Sequence, residues 1–392
     1  MPIADSYDAV VVGGGPAGSL AARELARAGH RVLLAEKHRQ IGSPLCCAEA
    51  VSLRSLGLFM EADSRWVAAP INGAVLYSPD GTEVAVPWKG VGVVLERKIF
   101  DRHLAALAGA DGAEIVMEAE VVGVNLAGGR AESVELKVGA EVCRVKCRVL
   151  IGADGVESLV GAWAGLDTRM DPSELHSCVQ YLMANVPGPQ DMVRFWVGRE
   201  VAPGGYLWIF PKGGGLANVG LGIAQALAGG KKPTQFLDQF ISRHLPQARV
   251  VEAMAGGTPA LGSDHPLVKG NVLLAGDAAR LTDPLSGAGI AIAMASGQLA
   301  GRLASEYLVR EDPAVLKGYP GQWWSGPWKD LKFHHRVREV FLKLSDPEMD
   351  RIARLLVKIL EGRDPARINP IEVAKTVISS DPGLLLLGRH LL

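Results

Sequence analysis

Gly13, Gly15 and Gly18 stand at GxGxxG spacing in the run GGGPAG, Ala17 lies within the same turn, and Glu36 follows the last glycine by 18 residues. Glycines so placed let the chain turn sharply and let a pyrophosphate approach the backbone. The free N–H groups and dipole of a helix start favour such an anion. An acid at the end of the next strand is placed to accept hydrogen bonds from an adenosine ribose. Two more groups carry chemical potential: the adjacent Cys46 and Cys47 in IGSPLCCAEAVS, and Asp277 in GNVLLAGDAARLTDPLSGAGI. A thiol acts as a nucleophile, relay or ligand only where its surroundings tune it, and two thiols side by side can also be plain small neighbours.

The elements that must position these groups are readable from periodicity. YDAVVVGGG reads as a strand, PAGSLAARELARAG as an Ala- and Leu-rich helix and HRVLLAE as a second strand, a βαβ opening. Strand, glycines, helix, strand and acid in that order predict dinucleotide binding, and NAD and FAD are both served by it. The middle of the chain carries short β-like runs, GAVLYS, DMVRFWV, GYLWIF and LANVGLGI, separated by Gly and Pro, which predict an antiparallel sheet. Residues 266–310 return to strand then helix, and helices dominate thereafter. Asp346-Pro347 and Asn369-Pro370 read as helix starts, and Ile352, Leu355, Leu356, Ile359 and Leu360 recur at helical spacing as a packed face.

The 392 residues carry 41 basic and 42 acidic side chains, with no long basic run, so nucleic acid is not an expected partner. No apolar stretch reaches the length of a spanning helix and no signal-peptide pattern opens the chain, which predicts a cytoplasmic protein, peripheral at most to a membrane. The five cysteines, Cys46, Cys47, Cys143, Cys147 and Cys178, do not suggest a disulfide framework, and neither pair has zinc-site spacing, so no metal is expected. Cys143 and Cys147, four apart on a β-like run, are expected on one face, in the core.

VLIGADGVES (149–158) and GNVLLAGDAARLTDPLSGAGI (270–290) resemble the two further fingerprints of the flavoprotein group that includes the aromatic hydroxylases. That resemblance implies FAD as the resident cofactor. It places Asp277 on the ribitol, Gly287, Gly289 and Ile290 at the pyrimidine end of the flavin, Arg97 at the head of a helix near the cofactor, and the backbone of Val121 against the adenine. Asp154 is either a cofactor contact or a structural turn acid.

A sharper resemblance lies in PGGYLWIFPKGGGLANVGLG (203–222), which is similar to the YxWxFPK segment of the geranylgeranyl reductases, FAD enzymes that saturate isoprenoid double bonds in lipids, diphosphates or quinones. It covers about the first 310 residues. The family's loop, Cys then Gly-Glu-Gly then Ser, corresponds here to Cys47, Ala48, Glu49, Ala50 and Ser52, with alanine at both glycine positions. The resemblance implies Cys47, Ala48 and Ala50 beside the flavin, with Cys47 as proton relay or shaper of the flavin face. Tyr206, Trp208 and Phe210 alternate along a strand and share a face. They form either an aromatic core stripe or the wall of a tunnel for a prenyl chain. Lys212 is either a turn residue or part of that motif.

The expected fold is α/β: a Rossmann-type FAD-binding lobe (1–65, 96–165 and 266–310), an inserted antiparallel β-sheet substrate lobe (66–95 and 166–265) and a helical C-terminal region (311–392). The expected partners are a prenyl lipid or prenyl diphosphate and an electron donor, NADPH, ferredoxin or quinol-type, because no second GxGxxG unit is present. Two alternatives stay open. One is a flavin-dependent monooxygenase or halogenase, whose WxWxIP stretch YLWIFP approaches. The other is an electron-transfer flavoprotein that passes electrons to quinone, although no iron–sulfur set of cysteines is visible. The apolar GLLLLGRHLL terminus suits either membrane contact or packing on the body.

Overall fold

The run DAVVV forms the strand Ser6–Val12, flanked in parallel by Val32–Ala35 and by the distal half of Glu141–Gly152. Val272–Leu274 and Glu114–Val116 extend the parallel sheet on either side. Strands covered on both faces need no polar alternation, and Val10, Val11, Leu33, Leu34, Leu150 and Ile151 are all fully buried. The strands Ala119–Ala127 and Arg130–Val138 add an antiparallel ribbon to the same sheet through the proximal half of Glu141–Gly152. The computed structural model describes residues 3–45, 47–171, 174–260, 265–364 and 372–373. This sheet belongs to the first of two units, made of Met1–Leu45, Arg97–Met170 and Pro259–Lys332.

Helix Pro16–Arg27 follows the first strand and packs against the long helix Ile290–Arg310 through small residues. A Cβ on Gly297 would lie 2.0 Å from the Ala17 carbonyl oxygen, and one on Gly301 2.5 Å from that of Ala21. The two helices therefore touch backbone to backbone. On Glu141–Gly152 the inward face runs through Val145, Cys147 and Val149, but Cys143 is exposed. The expectation of two core cysteines is thus corrected. Both occupy one face, and the core ends between them.

The second unit comprises Cys46–Glu96, Asp171–Thr258 and Phe333–Leu392. Its eight-stranded sheet runs in the order Arg249–Pro259, Leu175–Ala184, Leu216–Ala224, Tyr206–Gly213, Val193–Trp196, Val67–Tyr77, Glu83–Leu95, Ala50–Ser52. Val193–Trp196 and Val67–Tyr77 pair in parallel within the antiparallel sheet that the sequence predicts. Helix Pro233–His244 lays Phe236, Leu237 and Phe240 on one face of the sheet, against Leu207, Ile209, Val219, Leu221 and Ile223.

Two boundaries differ from the sequence expectation. Ala50–Ser52 pairs antiparallel with Glu83–Leu95, which draws residues 46–65 into the second unit rather than the first. The helical C-terminal region is divided: Leu316, Tyr319, Trp323 and Leu331 join the core of the first unit, whereas helix Asp346–Leu360 packs Met349, Ile352, Leu356 and Ile359 around Leu344 in the second. That helix is capped by Ser345, one residue before the expected Asp346, in a reciprocal box with Glu348. Cys46, Asn369-Pro370 and GLLLLGRHLL lie outside the described residues. Among the described residues no helix is long and apolar enough to cross a membrane.

Candidate active site

The three glycines of the first turn do different work. Gly13, at φ +102°, and Gly18 allow close packing: a Cβ would fall 2.3 Å from the Ala153 oxygen at the first and 1.9 Å from the Gly13 oxygen at the second. Gly15, the N-cap of helix Pro16–Arg27, faces open space, with nothing within 4 Å of a built Cβ. The turn thus brings strand and helix together and leaves a vacancy of side chain at the helix start, where an anion is favoured. Glu36 is tied to this turn. Its Oε2 accepts the Gly14 N–H at 2.7 Å, and its Oε1 accepts the His38 N–H at 2.9 Å and faces His38 Nδ1 at 2.6 Å. The Ala119 N–H donates to the Glu36 carbonyl, which starts the strand carrying the buried Val121 two residues further on.

The second and third fingerprints are fastened to each other. Ser158 Oγ donates to the Ala278 carbonyl at 2.7 Å, and the Arg280 guanidinium donates to the carbonyls of Val156 and Thr168. Asp154 Oδ2 accepts the Val160 N–H at 2.9 Å, the turn-acid arrangement, and burial raises its carboxyl above the usual range. Removal from water likewise pushes the Asp277 carboxyl up. The Thr282 hydroxyl, which donates to Oδ1 at 2.8 Å, and the charges of Arg97 and Arg280 oppose that shift. Arg97 opens helix Arg97–Ala110 and grips Asp101 with two bonds of 2.7 Å. Gly287 and Gly289 lie on a turn held by Asp283, and Ile290 begins the long helix.

These features match what FAD needs: a side-chain-free helix start for the pyrophosphate, an anchored acid for the ribose, and a carboxyl held out of water beside a hydroxyl and two cations.

In the second unit the loop after Cys46 is clamped from three sides. The Glu49 N–H donates to Cys47 Sγ at 3.2 Å. Gln180 Nε2 donates to the Cys47 carbonyl at 3.0 Å, and Asn218 Nδ2 donates to the Ala48 carbonyl and to Glu49 Oε2. Glu49, 1% exposed, forms a buried ion pair with Lys212 Nζ at 2.5 Å, and Lys212 also reaches Glu96 Oε1 at 2.9 Å and the Leu95 carbonyl at 3.2 Å. Lys212 is therefore no solvent-facing turn residue. The positive φ of this loop falls on Glu49, at +73°, and neither Ala48 nor Ala50 needs one. Alanine at the two family glycine positions is sterically compatible with this path.

Tyr206, Trp208 and Phe210 do share a face. With Phe195 they form a chain of edge-to-face contacts, 5.4 Å between centroids for Phe195 with Tyr206 and with Phe210, and the alanines 48 and 50 pack against them. Leu207 and Ile209 point to the opposite face, under the helix. The glycines of NVGLG complete the arrangement: Gly220 sits opposite Trp208 and Gly222 opposite Tyr206, so the indole lies across a strand without side chains there. Sequence reasoning missed His38, Arg280, Gln180 and Asn218. Asn218 carried a signal, as the first residue of NVGLG. Gln180 carried none.

A family model described as "Geranylgeranyl reductase catalytic domain" matches residues 174–258, and one described as "FAD dependent oxidoreductase" matches residues 8–199. The digeranylgeranylglycerophospholipid reductase of Methanosarcina mazei is 42% identical over 361 residues, 90% of this chain and 89% of that protein. A geranylgeranyl bacteriochlorophyll reductase-like protein from Thermoplasma acidophilum has a similar solved structure, with a TM-score of 0.92, 32% identity, and coverage of 99% of this chain and 100% of the other. The flavin-dependent brominase Bmp2 matches at a TM-score of 0.71 and 20% identity over 96% of this chain and 100% of its own, a likeness of fold alone. With relatives this similar along nearly the whole length, and with the cofactor cradle and the clamped cysteine loop both present, the chain belongs to the geranylgeranyl reductase family of FAD-dependent oxidoreductases.

Proposed function

We propose that this chain saturates carbon–carbon double bonds in geranylgeranyl chains, with a digeranylgeranyl glycerophospholipid as the substrate class. The observation that carries this is the aromatic face where the half-buried Tyr206 and Phe195 border the buried Trp208 and Phe210 beside the Cys47 loop. A prenyl chain offers only apolar surface and bends, and it is held by shape and by exclusion of water, which such a face supplies.

Reduced FAD, when bound, supplies the hydride. The Gly13–Gly18 turn would hold the pyrophosphate, Glu36 the ribose, Asp277 the ribitol, and the 287–290 turn the pyrimidine end. Arg97 orders the helix head beside Asp277. One hydride and one proton together saturate one double bond, and we assign the proton to Cys47. An amide donor at Sγ stabilises the charge left on sulfur when the thiol gives up its proton, and the clamped loop fixes where that sulfur lies. The aromatic side chains exclude water from the reacting carbons. The proposed electron donor is NADPH, ferredoxin or a quinol, and the proposed meeting place with the lipid substrate is the cytoplasmic surface of a membrane.

The test is anaerobic incubation of dithionite-reduced protein with geranylgeranyl lipids, diphosphates and menaquinones, followed by mass spectrometry. Mass increments of one H2 per bond are expected. An oxygenated product formed in air, with no saturation of any prenyl substrate, would overturn the proposal.

A further inference from the structure

Gln180 lies on the strand Leu175–Ala184, is almost wholly buried, and makes three hydrogen bonds that join separate parts of the second unit, the longest from its Nε2 to Met254 Sδ at 3.8 Å. Its Nε2 donates to the Cys47 carbonyl at 3.0 Å, and its Oε1 accepts the Trp208 indole N–H at 2.8 Å. The orientation of the amide is dictated by its partners: an indole N–H only donates and a backbone carbonyl only accepts.

The sheet register explains how the two side chains meet. Gly220 pairs with Gln180 on one side and with Trp208 on the other. A Cβ there would lie 2.6 Å from Trp208 Cζ2 and 2.8 Å from Gln180 Cβ. Only a strand position without a side chain lets residues from its two neighbours bond across it.

We propose that Gln180 is a positioning residue that locks the Cys47 peptide to the Trp208 wall. Holding the Cys47 carbonyl fixes the plane of the 47–48 peptide next to the thiol, and the Asn218 bond to the Ala48 carbonyl holds the adjoining 48–49 peptide, whose Glu49 N–H reaches back to Sγ. Its bearing on turnover rests on the function proposed above. Its bearing on the geometry of Cys47 does not.

The experiment compares the FAD-loaded wild type with Gln180→Met, which keeps the volume and loses all three bonds, and with Gln180→Glu. Alkylation of Cys47 by iodoacetamide is followed by tandem mass spectrometry, which separates it from the neighbouring Cys46. Gln180→Met should raise the Cys47 alkylation rate about tenfold with FAD content unchanged. It should lower kcat for prenyl reduction about tenfold with KM within about twofold. Trp208→Phe, which removes the indole donor, should loosen the loop less, and the double variant should react no faster than Gln180→Met alone, because both act on one linkage. A protonated glutamic acid can donate to the Cys47 carbonyl and accept from the indole. The alkylation rate of Gln180→Glu relative to wild type should therefore approach unity in acid and rise toward alkaline pH.

Cys47 reactivity within about twofold of wild type in Gln180→Met, or a Gln180→Glu ratio that does not move with pH, would overturn the positioning role. The alkylation assay needs no prenyl substrate. Failure of the reductase proposal would leave it standing, whereas unaltered alkylation beside intact lipid reduction would remove the positioning role alone.

Discussion

Replacing Lys212 by methionine removes the cation of the ion pair with the buried Glu49 carboxylate. The ion pair is almost dry, with side-chain exposures of 6% for Lys212 and 1% for Glu49, so solvent screens little of the loss. Stripping one partner from such a pair costs about 3–5 kcal/mol. Asn218 Nδ2 still donates to Glu49 Oε2 at 2.7 Å in the variant, which places the expected cost at the lower end, about 3 kcal/mol. For a unit of this size each kcal/mol moves a thermal midpoint by about 2–4 °C, so the transition should fall by about 6–12 °C. Differential scanning calorimetry at fixed FAD concentration measures it, since ligand linkage would otherwise shift the midpoint. The double variant Glu49→Gln/Lys212→Met keeps the Asn218 bond without a stranded charge and should recover at least half of the loss. A fall of less than about 2 °C in the single variant, or a double variant no more stable than the single one, would refute the account of this pair.

Three further outcomes are expected. Gly15→Ala meets no protein atom within 4 Å and keeps an accessible backbone geometry, so the apoprotein should melt as wild type while FAD retention falls about tenfold or more. Gly18→Ala, 1.9 Å from a carbonyl, should lose stability as well, and a Gly15→Ala protein that retains FAD normally would contradict the assigned pyrophosphate position. Gly220→Ala should cost about 1–3 kcal/mol in chemical denaturation and shift tryptophan fluorescence, since its Cβ presses on Trp208 and on the Val179 carbonyl. His176 is pushed down to about 4 by burial and then by the Arg338 charge. Its unfolded form takes up a proton near pH 6.5 and its folded form does not until about pH 4. Stability should therefore be full above pH 6.5 and drop by about 3 kcal/mol as pH falls through that window. Denaturation midpoints of His176→Gln should lose this slope.

The parts of the molecule that local chemistry specifies were readable from the chain. GGGPAG with its flanking strands specifies a turn within a few residues, and the period of two in YLWIFP specifies a shared aromatic face. The limits came where contacts join distant residues. Lys212 meets Glu49 across 163 positions and Gln180 meets Cys47 across 133, and neither spacing leaves a local pattern. Cys143 and Cys147 show the same limit in miniature: alternation gives the face of a strand, while the depth of the core along it depends on what covers it. The short strand Ala50–Ser52 shows a related limit. It belongs with its pairing partner and not with its sequence neighbours.

The backbone contacts of Gly297 and Gly301 with the first helix have a consequence for cofactor placement. Each of the two helices begins at one of the turns assigned to the dinucleotide, Pro16 at the pyrophosphate turn and Ile290 at the flavin turn. Two rods in contact along their backbones cannot slide without collision, so the interval between those turns is set before any ligand arrives. The first unit behaves as a gauge of fixed length. The flavin, ribityl chain and phosphates of the cofactor would span that interval, and the adenosine that distinguishes FAD from a flavin mononucleotide would lie beyond it, towards Glu36.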